Sequence, residues 1–271
     1  MRVALVQLAA SVDSAANRGL VATRLQALEP GAHDLVVLPE AAMHDFGSPD
    51  HDLSAHAEPL EGPFVQLLAE QARRLRTTIV AGMFETTDDL PLNTLVVLDP
   101  DGRLRATYRK IHLYDSFGYR ESDRLTPGTI DPVTIDVTHD DRTTTVGLMT
   151  CYDLRFPELA RVLVDRGAEL LLVPAAWVAG DGKLHHWRTL LTARAIENVV
   201  PVAAAAQGGD RYTGHSLVVD ALGSIVAEGD AGEDDLVTTR LDADQLTRAR
   251  DVNPSLQNRR MPATRPGPDD A

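Results

Sequence analysis

The chain has one cysteine, Cys151, in 271 residues. A single thiol excludes an internal disulfide framework and any metal site built from several cysteines, and it fits a reducing compartment. Aromatic residues are scarce, at 4%, so Leu, Val and Ala must fill the core. Positive charge is short too: 26 Lys and Arg face 40 Asp and Glu, a formal net charge of −14. That balance argues against nucleic acid or an anionic membrane surface as a partner, because binding phosphate needs clustered basic residues. The acidity itself reads as a solubility feature. No apolar run approaches the ~20 residues that a membrane helix needs. The opening stretch Met1-Arg2-Val3-Ala4-Leu5-Val6-Gln7-Leu8-Ala9 is short and carries polar Gln7, so it reads as a first strand rather than a secretory signal, and the chain as cytoplasmic.

What is present suits a large folded unit. Hydrophobic residues make up 44%, ample for a sizeable core. The length could hold two average domains or one large α/β domain. No Ser-, Gly- or Pro-rich linker interrupts the middle, so one domain over residues 1–252 is expected. Residues 253–271 are rich in Pro, Arg and Asp and read as a tail that is loose or ordered by a partner chain.

Periodicity and turn signals predict strands and helices in alternation, then strands in pairs. Strands are expected at Val3–Leu8, Asp34–Leu38, Thr77–Phe84, Leu170–Val173, Val199–Ala206 and Leu236–Arg240. Helices are expected at Ser14–Leu28, starting near Ser14 or Asn17, and at Pro63–Arg76, Pro157–Arg166, His185–Asn198 and Ala243–Arg250. Hairpins are expected around Asp99-Pro100-Asp101-Gly102, His139-Asp140-Asp141-Arg142 and Asp220-Ala221-Leu222-Gly223. One internal echo stands out. Asp34-Leu35-Val36-Val37-Leu38-Pro39 resembles Glu169-Leu170-Leu171-Leu172-Val173-Pro174, and each follows a Gly–Ala pair. Two such half-units, each a sheet covered by helices, would stack sheet on sheet as a four-layer α–β–β–α sandwich. A doubly wound open sheet is the alternative, disfavoured by the hairpins.

Three strand ends carry the chemistry. Cys151 follows the apolar run Val146-Gly147-Leu148-Met149 and precedes Pro157, which suits a first helical turn. A thiol there is held by a sheet yet reachable, with free backbone N–H groups after it that could stabilise an oxyanion. Alone, a single buried Cys is more often an inert small hydrophobe. Glu40, directly after Leu38-Pro39, could be a general base, or an ordinary loop-start Glu. Lys110, in Tyr108-Arg109-Lys110-Ile111-His112-Leu113, could be a fixed cation, or an edge-strand Lys that blocks pairing. A nucleophile, a base and a cation on three strand ends of one sheet system make the set that covalent acyl transfer needs. The nine His residues show no ligand spacing, and His185-His186 reads as a polar cap or pocket wall, so no metal is expected.

These segments resemble the nitrilase superfamily of carbon–nitrogen hydrolases, which carries a Glu–Lys–Cys triad in this chain order. The resemblance runs from Val3 to about Glu228. It includes Gly62-Pro63, Asn93-Thr94, the stretch Glu121-Ser122-Asp123-Arg124-Leu125-Thr126-Pro127-Gly128, Ala193-Arg194-Ala195-Ile196-Glu197-Asn198 and Gly214-His215-Ser216. It implies the α–β–β–α sandwich, usually stacked into a larger one by dimerisation or higher homo-oligomerisation, with the C-terminal segment often crossing to the partner. It implies roles as well. Glu40 would be the general base and Cys151 the nucleophile. Lys110 and the backbone N–H of Tyr152 would stabilise the oxyanion, while Glu121 would position Lys110 and the substrate. No cofactor is implied.

The run Cys151-Tyr152-Asp153-Leu154-Arg155-Phe156-Pro157-Glu158 is similar to the branch holding omega-amidases and deaminated-glutathione amidases. It is less like true nitrilases, which usually have Trp-Glu after the Cys. The expected substrate is a small linear amide bearing a carboxylate. Trp177 and Tyr114 are expected near it, or in the core, and Arg155 or Lys183 near its carboxylate. The alternatives are hydrolysis of N-carbamoyl amino acids and, from a different class, a non-catalytic metabolite-binding scaffold.

Overall fold

A computed structural model describes residues 1–261. In chain order they form β1 (Arg2–Gln7), α1 (Ser14–Gln26), β2 (Leu35–Val37), α2 (Pro63–Leu75), β3 (Thr78–Glu85), β4 (Leu92–Leu98), β5 (Leu104–Arg109), and a tiny hairpin of β6 (Asp115–Ser116) and β7 (Tyr119–Arg120). There follow β8 (Thr134–His139), β9 (Arg142–Leu148), α3 (Pro157–Asp165), β10 (Leu170–Leu172), α4 (Lys183–Asn198), β11 (Val202–Ala204), β12 (Leu217–Val219), β13 (Ile225–Glu228), β14 (Asp235–Arg240) and α5 (Ala243–Val252).

Two six-stranded sheets result, in the orders β14-β1-β2-β3-β4-β5 and β13-β12-β11-β10-β9-β8. In the first, β1, β2 and β3 are parallel, flanked by antiparallel β4-β5 on one side and β14 on the other. In the second, β9, β10 and β11 are parallel, flanked by antiparallel β12-β13 and β8. The pattern is the same, and β2 and β10, the two strands of the sequence echo, hold equivalent central places. Both are apolar on every residue because both faces are covered.

The alternation of side chains shows how the layers stack. Val3 and Leu5 of β1, Leu35 and Val37 of β2, and Leu95 and Val97 of β4 share a core with Val146, Leu148 and Leu171 of the second sheet. Their neighbours Ala4, Val6, Val36, Val96 and Leu98 instead join Val21 and Leu25 of α1 and Phe64, Leu68 and Ala72 of α2. One face of the first sheet therefore meets the other sheet and the opposite face meets two helices. On the far side, α3 and α4 cover the second sheet through Leu159, Leu163, Trp187 and Leu191. This is the four-layer sandwich, and two separate sheets exclude the doubly wound alternative.

Local chemistry sets the ends. The Asp13 carboxylate caps α1 by accepting from the N–H groups of Ala15 and Ala16. Asn17, one expected start, is buried and ties Ser11 to Met43. Helix α4 begins at Lys183, a turn's half earlier than expected, after Gly182 in the left-handed region. The first part of the tail expected to be loose or ordered by a partner chain lies against this chain's own body: Leu256 touches the core and Arg259 pairs with Asp165. Positions 262–271, the rest of that segment, lie outside the described residues. No described helix is long and apolar enough to cross a membrane.

Candidate active site

The sandwich brings the three strand ends together across its two sheets, Glu40 and Lys110 from the first and Cys151 from the second. Glu40 lies just past β2, in a turn held by Gln207, whose Nε2 donates to the carbonyls of Glu40 (3.0 Å) and Ala41 (3.1 Å). Gly82 of β3 is pressed against the same turn: a Cβ there would stand 2.6 Å from Glu40 Cα. Lys110 follows β5, its N–H donating to Asn93 O and its carbonyl accepting from Gly128 N–H, each at 2.8 Å. Cys151 opens a short 3-10 turn, Cys151–Arg155, rather than following directly on a strand, because β9 ends at Leu148. Its φ is +46°, an unfavourable backbone for a residue with a side chain, of the kind that persists where surrounding structure holds it. What holds it is the segment just past β10, since Cys151 N–H donates to Pro174 O at 3.0 Å. The two halves of the echo thus meet at the site. Beyond Pro39 stands Glu40, and beyond Pro174 the N–H of Ala176 donates to Glu40 Oε2 at 2.7 Å.

Lys110 is caged between two carboxylates. Its Nζ donates to Glu40 Oε1 (2.8 Å) and to Glu121 Oε2 (2.8 Å) and Oε1 (3.1 Å), and all three side chains are buried. Asn93 Nδ2 bridges the same two carboxylates at 2.8 and 3.0 Å, and Tyr114 N–H donates to Glu121 Oε2 at 2.6 Å. Burial opposes the ammonium, but the two carboxylates outweigh it and lift the Lys110 pKa well above its ordinary value. Burial pushes the Glu121 carboxyl up, with Lys110 pulling the other way. The Cys151 thiol is driven well above its usual range, first by burial and then by the Glu40 charge, against the pull of Lys110. The resting nucleophile is therefore a neutral thiol next to a carboxylate, an arrangement that calls for base assistance rather than a standing thiolate.

Sequence reasoning missed the support beneath Cys151. Asp153, fully buried, accepts from Tyr108 OH (2.6 Å), Thr150 N–H (2.9 Å) and His112 N–H (3.2 Å), and bonds His112 Nδ1 (2.7 Å). It thereby ties the nucleophile's turn to the strand end carrying Lys110. Asn93, quoted above only as part of a strand start, proves to be a direct partner of both carboxylates. A polar residue forced inside by an otherwise apolar strand was the one signal available for it.

A pocket opens over these groups. Glu40, Lys110, Glu121 and Cys151 line its floor, and Tyr114, Tyr152, Trp177, Arg155 and Lys183 line its walls, so all four side chains expected near the substrate reach it. Lys183 Nζ donates to Tyr114 OH at 3.0 Å and lies 3.6 Å from the Phe117 ring centre. The Arg155 guanidinium lies 5.0 Å from the Trp177 ring centre. Among the described residues neither cation has a carboxylate partner within 4 Å, whereas Arg211, also on the wall, is neutralised by Asp45. The one three-residue group of metal-ligating side chains found among the described residues, His44, His51 and His56, is not part of the pocket lining.

Two helix-covered sheets stacked face to face, with Glu, Lys and Cys converging from both at one pocket, define the nitrilase-type fold and site. The chain belongs to the carbon-nitrogen hydrolase family, whose profile matches residues 2–251. It is 38% identical over 231 residues to a deaminated glutathione amidase of Escherichia coli O157:H7, covering 84% of this chain and 85% of that one. It is 37% identical over 240 residues to a 2-oxoglutaramate amidase of Paenarthrobacter nicotinovorans, covering 85% and 79%. The fold matches the crystal structure of Saccharomyces cerevisiae Nit3, a member of branch 10 of the nitrilase superfamily, with a TM-score of 0.81, 32% identity and 94% of each chain covered. The protein is a carbon–nitrogen hydrolase acting on amides.

Proposed function

We propose that the protein is a thiol amidase that hydrolyses a small linear amide bearing a carboxylate, through a thioester on Cys151. The observation that carries the substrate class is the pair Arg155 and Lys183, two cations on the wall of the pocket that holds the thiol, with no carboxylate partner among the described residues. The named activities of the two amidase relatives concern amides of this kind.

In this reading Glu40 takes the thiol proton as Sγ attacks the amide carbonyl carbon. The carbonyl electron pair moves onto oxygen, where the charge is met by Lys110 Nζ and the backbone N–H of Tyr152, one of the donors that a helical start leaves without an internal partner. Collapse breaks the C–N bond, and Glu40 returns its proton to the departing nitrogen, so ammonia leaves. Water then gives a proton to Glu40 and attacks the thioester. The second tetrahedral adduct expels Sγ, which regains the proton from Glu40, leaving the free acid. Glu121 and Asn93 hold the pair in place, Glu121 by accepting from Lys110 Nζ and Asn93 by donating to both carboxylates. A dimer belongs to the same proposal: Ile225 and Val226 on edge strand β13, and Val252 on α5, are exposed apolar side chains. Light scattering giving the mass of a single chain would contradict it. The cytoplasm remains the proposed location.

The test is ammonia release across small amides: 2-oxoglutaramate, a deaminated-glutathione-like amide, glutamine, neutral monoamides and carbamoyl amino acids. Arg155→Met and Lys183→Met should raise KM for the acidic amides roughly 10–100-fold, the worth of a charged hydrogen bond, and leave neutral amides nearly unchanged. Unchanged KM for acidic amides in both variants contradicts the carboxylate assignment. Carbon dioxide appearing with the ammonia would turn the reading to carbamoyl hydrolysis.

A further inference from the structure

Three of the nine histidines meet in the irregular segment between β2 and α2. His44 is buried, His51 and His56 are half-buried, and their ligand nitrogens all lie within 4.8 Å of one another. His44 and His51 point their Nε2 atoms at each other at 2.8 Å, with ring planes 13° apart. The His56 ring covers the pair, its centre 4.2 Å from that of His44 and 4.9 Å from that of His51.

The surroundings favour convergence of lone pairs. Ser14 Oγ bonds His44 Nδ1 at 2.9 Å, an outer contact of the kind that fixes the ring and leaves Nε2 to face inward. Gly47, with φ +63°, makes room for His51: a Cβ there would stand 2.6 Å from the His51 ring. Asp13 and Asp45 act on His44, and Asp45 and Asp52 on His51, with Arg124 the opposing cation. The guanidinium of Arg124 is occupied, donating to the carbonyls of Phe46 and His51 and to Tyr119 OH.

We propose that His44, His51 and His56 form a binding site for one divalent ion of the zinc class. Imidazole suits zinc and its neighbours among the transition metals. Zn–N distances of about 2.0–2.1 Å in a tetrahedral site require nitrogens about 3.3–3.4 Å apart, between the 2.8 Å and 4.8 Å found here. Reaching that geometry requires the His56 ring to turn out of its stacked position, so that a nitrogen rather than the ring face points at the ion. The ion would replace the His44–His51 hydrogen bond. Three protein ligands leave the fourth position to solvent, on the side where His51 and His56 are open. The bound ion would tie the segment that carries Phe46, a pocket-wall residue, to the start of α1.

The experiment uses Cys151→Ala protein, so that no thiol competes, freed of metal by chelator dialysis and titrated with Zn²⁺ by calorimetry and with Co²⁺ by visible absorption. His51→Ala and His56→Ala are made in the same background, since these half-buried rings can be removed without opening the core as loss of His44 would. The expected result is one equivalent of metal, a Co²⁺ spectrum of tetrahedral nitrogen–oxygen coordination, a melting temperature raised by Zn²⁺, and binding weakened at least roughly tenfold in each variant. No saturable binding overturns the proposal, as does binding that survives both substitutions.

Discussion

Replacing Lys110 by Met keeps most of the side chain's length and removes its charge from between two buried carboxylates. Three donor contacts go, at 2.8, 2.8 and 3.1 Å. Removing one partner of a buried ion pair costs about 3–5 kcal/mol. Glu40 and Glu121 cannot both stay ionised side by side without the cation, so one takes up a proton, and the cost falls toward about 3 kcal/mol. For a chain of this size that is a fall of roughly 6–12 °C in melting temperature. The pH dependence gives the sharper signature. The protonated carboxyl has a folded pKa above the unfolded value of about 4.3, so between the two values the folded state binds more protons. Stability of the variant is therefore fully present below the unfolded pKa and falls as pH rises through the folded pKa, by up to about 1.4 kcal/mol per pH unit for one proton. Wild type leans the same way through Glu121, raised by burial, but less, because Lys110 opposes the rise. Thermal melts of both proteins at pH 5 and pH 8 should show a deficit that is larger at pH 8. A deficit equal at both pH values, or larger at pH 5, would refute the caged-cation reasoning. Ammonia release should fall by about 10²–10³, the effect of losing one oxyanion donor.

Glu40→Gln removes the charge that, after burial, lifts the Cys151 thiol. Thiolate absorbance should then appear at lower pH than in wild type, while hydrolysis drops by about 10²–10⁴; a thiol titrating at the same or higher pH contradicts the assignment of the base. Gly82→Ala places a methyl 2.6 Å from Glu40 Cα and 2.7 Å from Ala41 N. Stability should fall by about 1–3 kcal/mol, and kcat by about a hundredfold for displacement of the base by an ångström; an enzyme of full kcat would show that the turn is not fixed by this contact. Asp153→Asn leaves at least one of the Tyr108, Thr150 and His112 donors without an acceptor. A loss of about 1–3 kcal/mol in chemical denaturation is expected, and an unchanged midpoint would deny Asp153 its role under the nucleophile.

The parts legible in the sequence were those set by local chemistry. Leu35-Val36-Val37 and Leu170-Leu171-Leu172 read as strands buried on both faces because nothing polar interrupts them, and the echo between them foretold two equivalent half-sheets. Pro63 and Pro157 marked helix starts through their fixed φ. Glu40, Lys110 and Cys151 were found as strand-end residues and given roles by the family resemblance, although their convergence from two different sheets is a tertiary fact. The missed features are long-range. Asp153 and Tyr108 are 45 positions apart, and Asn93 reaches Glu40 across 53. No period or motif links such pairs. His44, His51 and His56 fall at irregular spacing in a connection whose one regular element is a 3-10 turn, Ser54–His56, so only folding reveals their proximity. The 3-10 turn at Cys151 also escaped, because a five-residue element leaves no periodic signal.

The most direct test is intact-protein mass spectrometry of enzyme mixed with 2-oxoglutaramate and acid-quenched within a turnover, with Cys151→Ala in parallel. A wild-type adduct of the acyl mass, mapped to the peptide containing Cys151 and absent from the variant, is the predicted result. Ammonia release that persists in Cys151→Ala, or that proceeds in wild type with no adduct at any quench time, would contradict a thioester mechanism at Cys151.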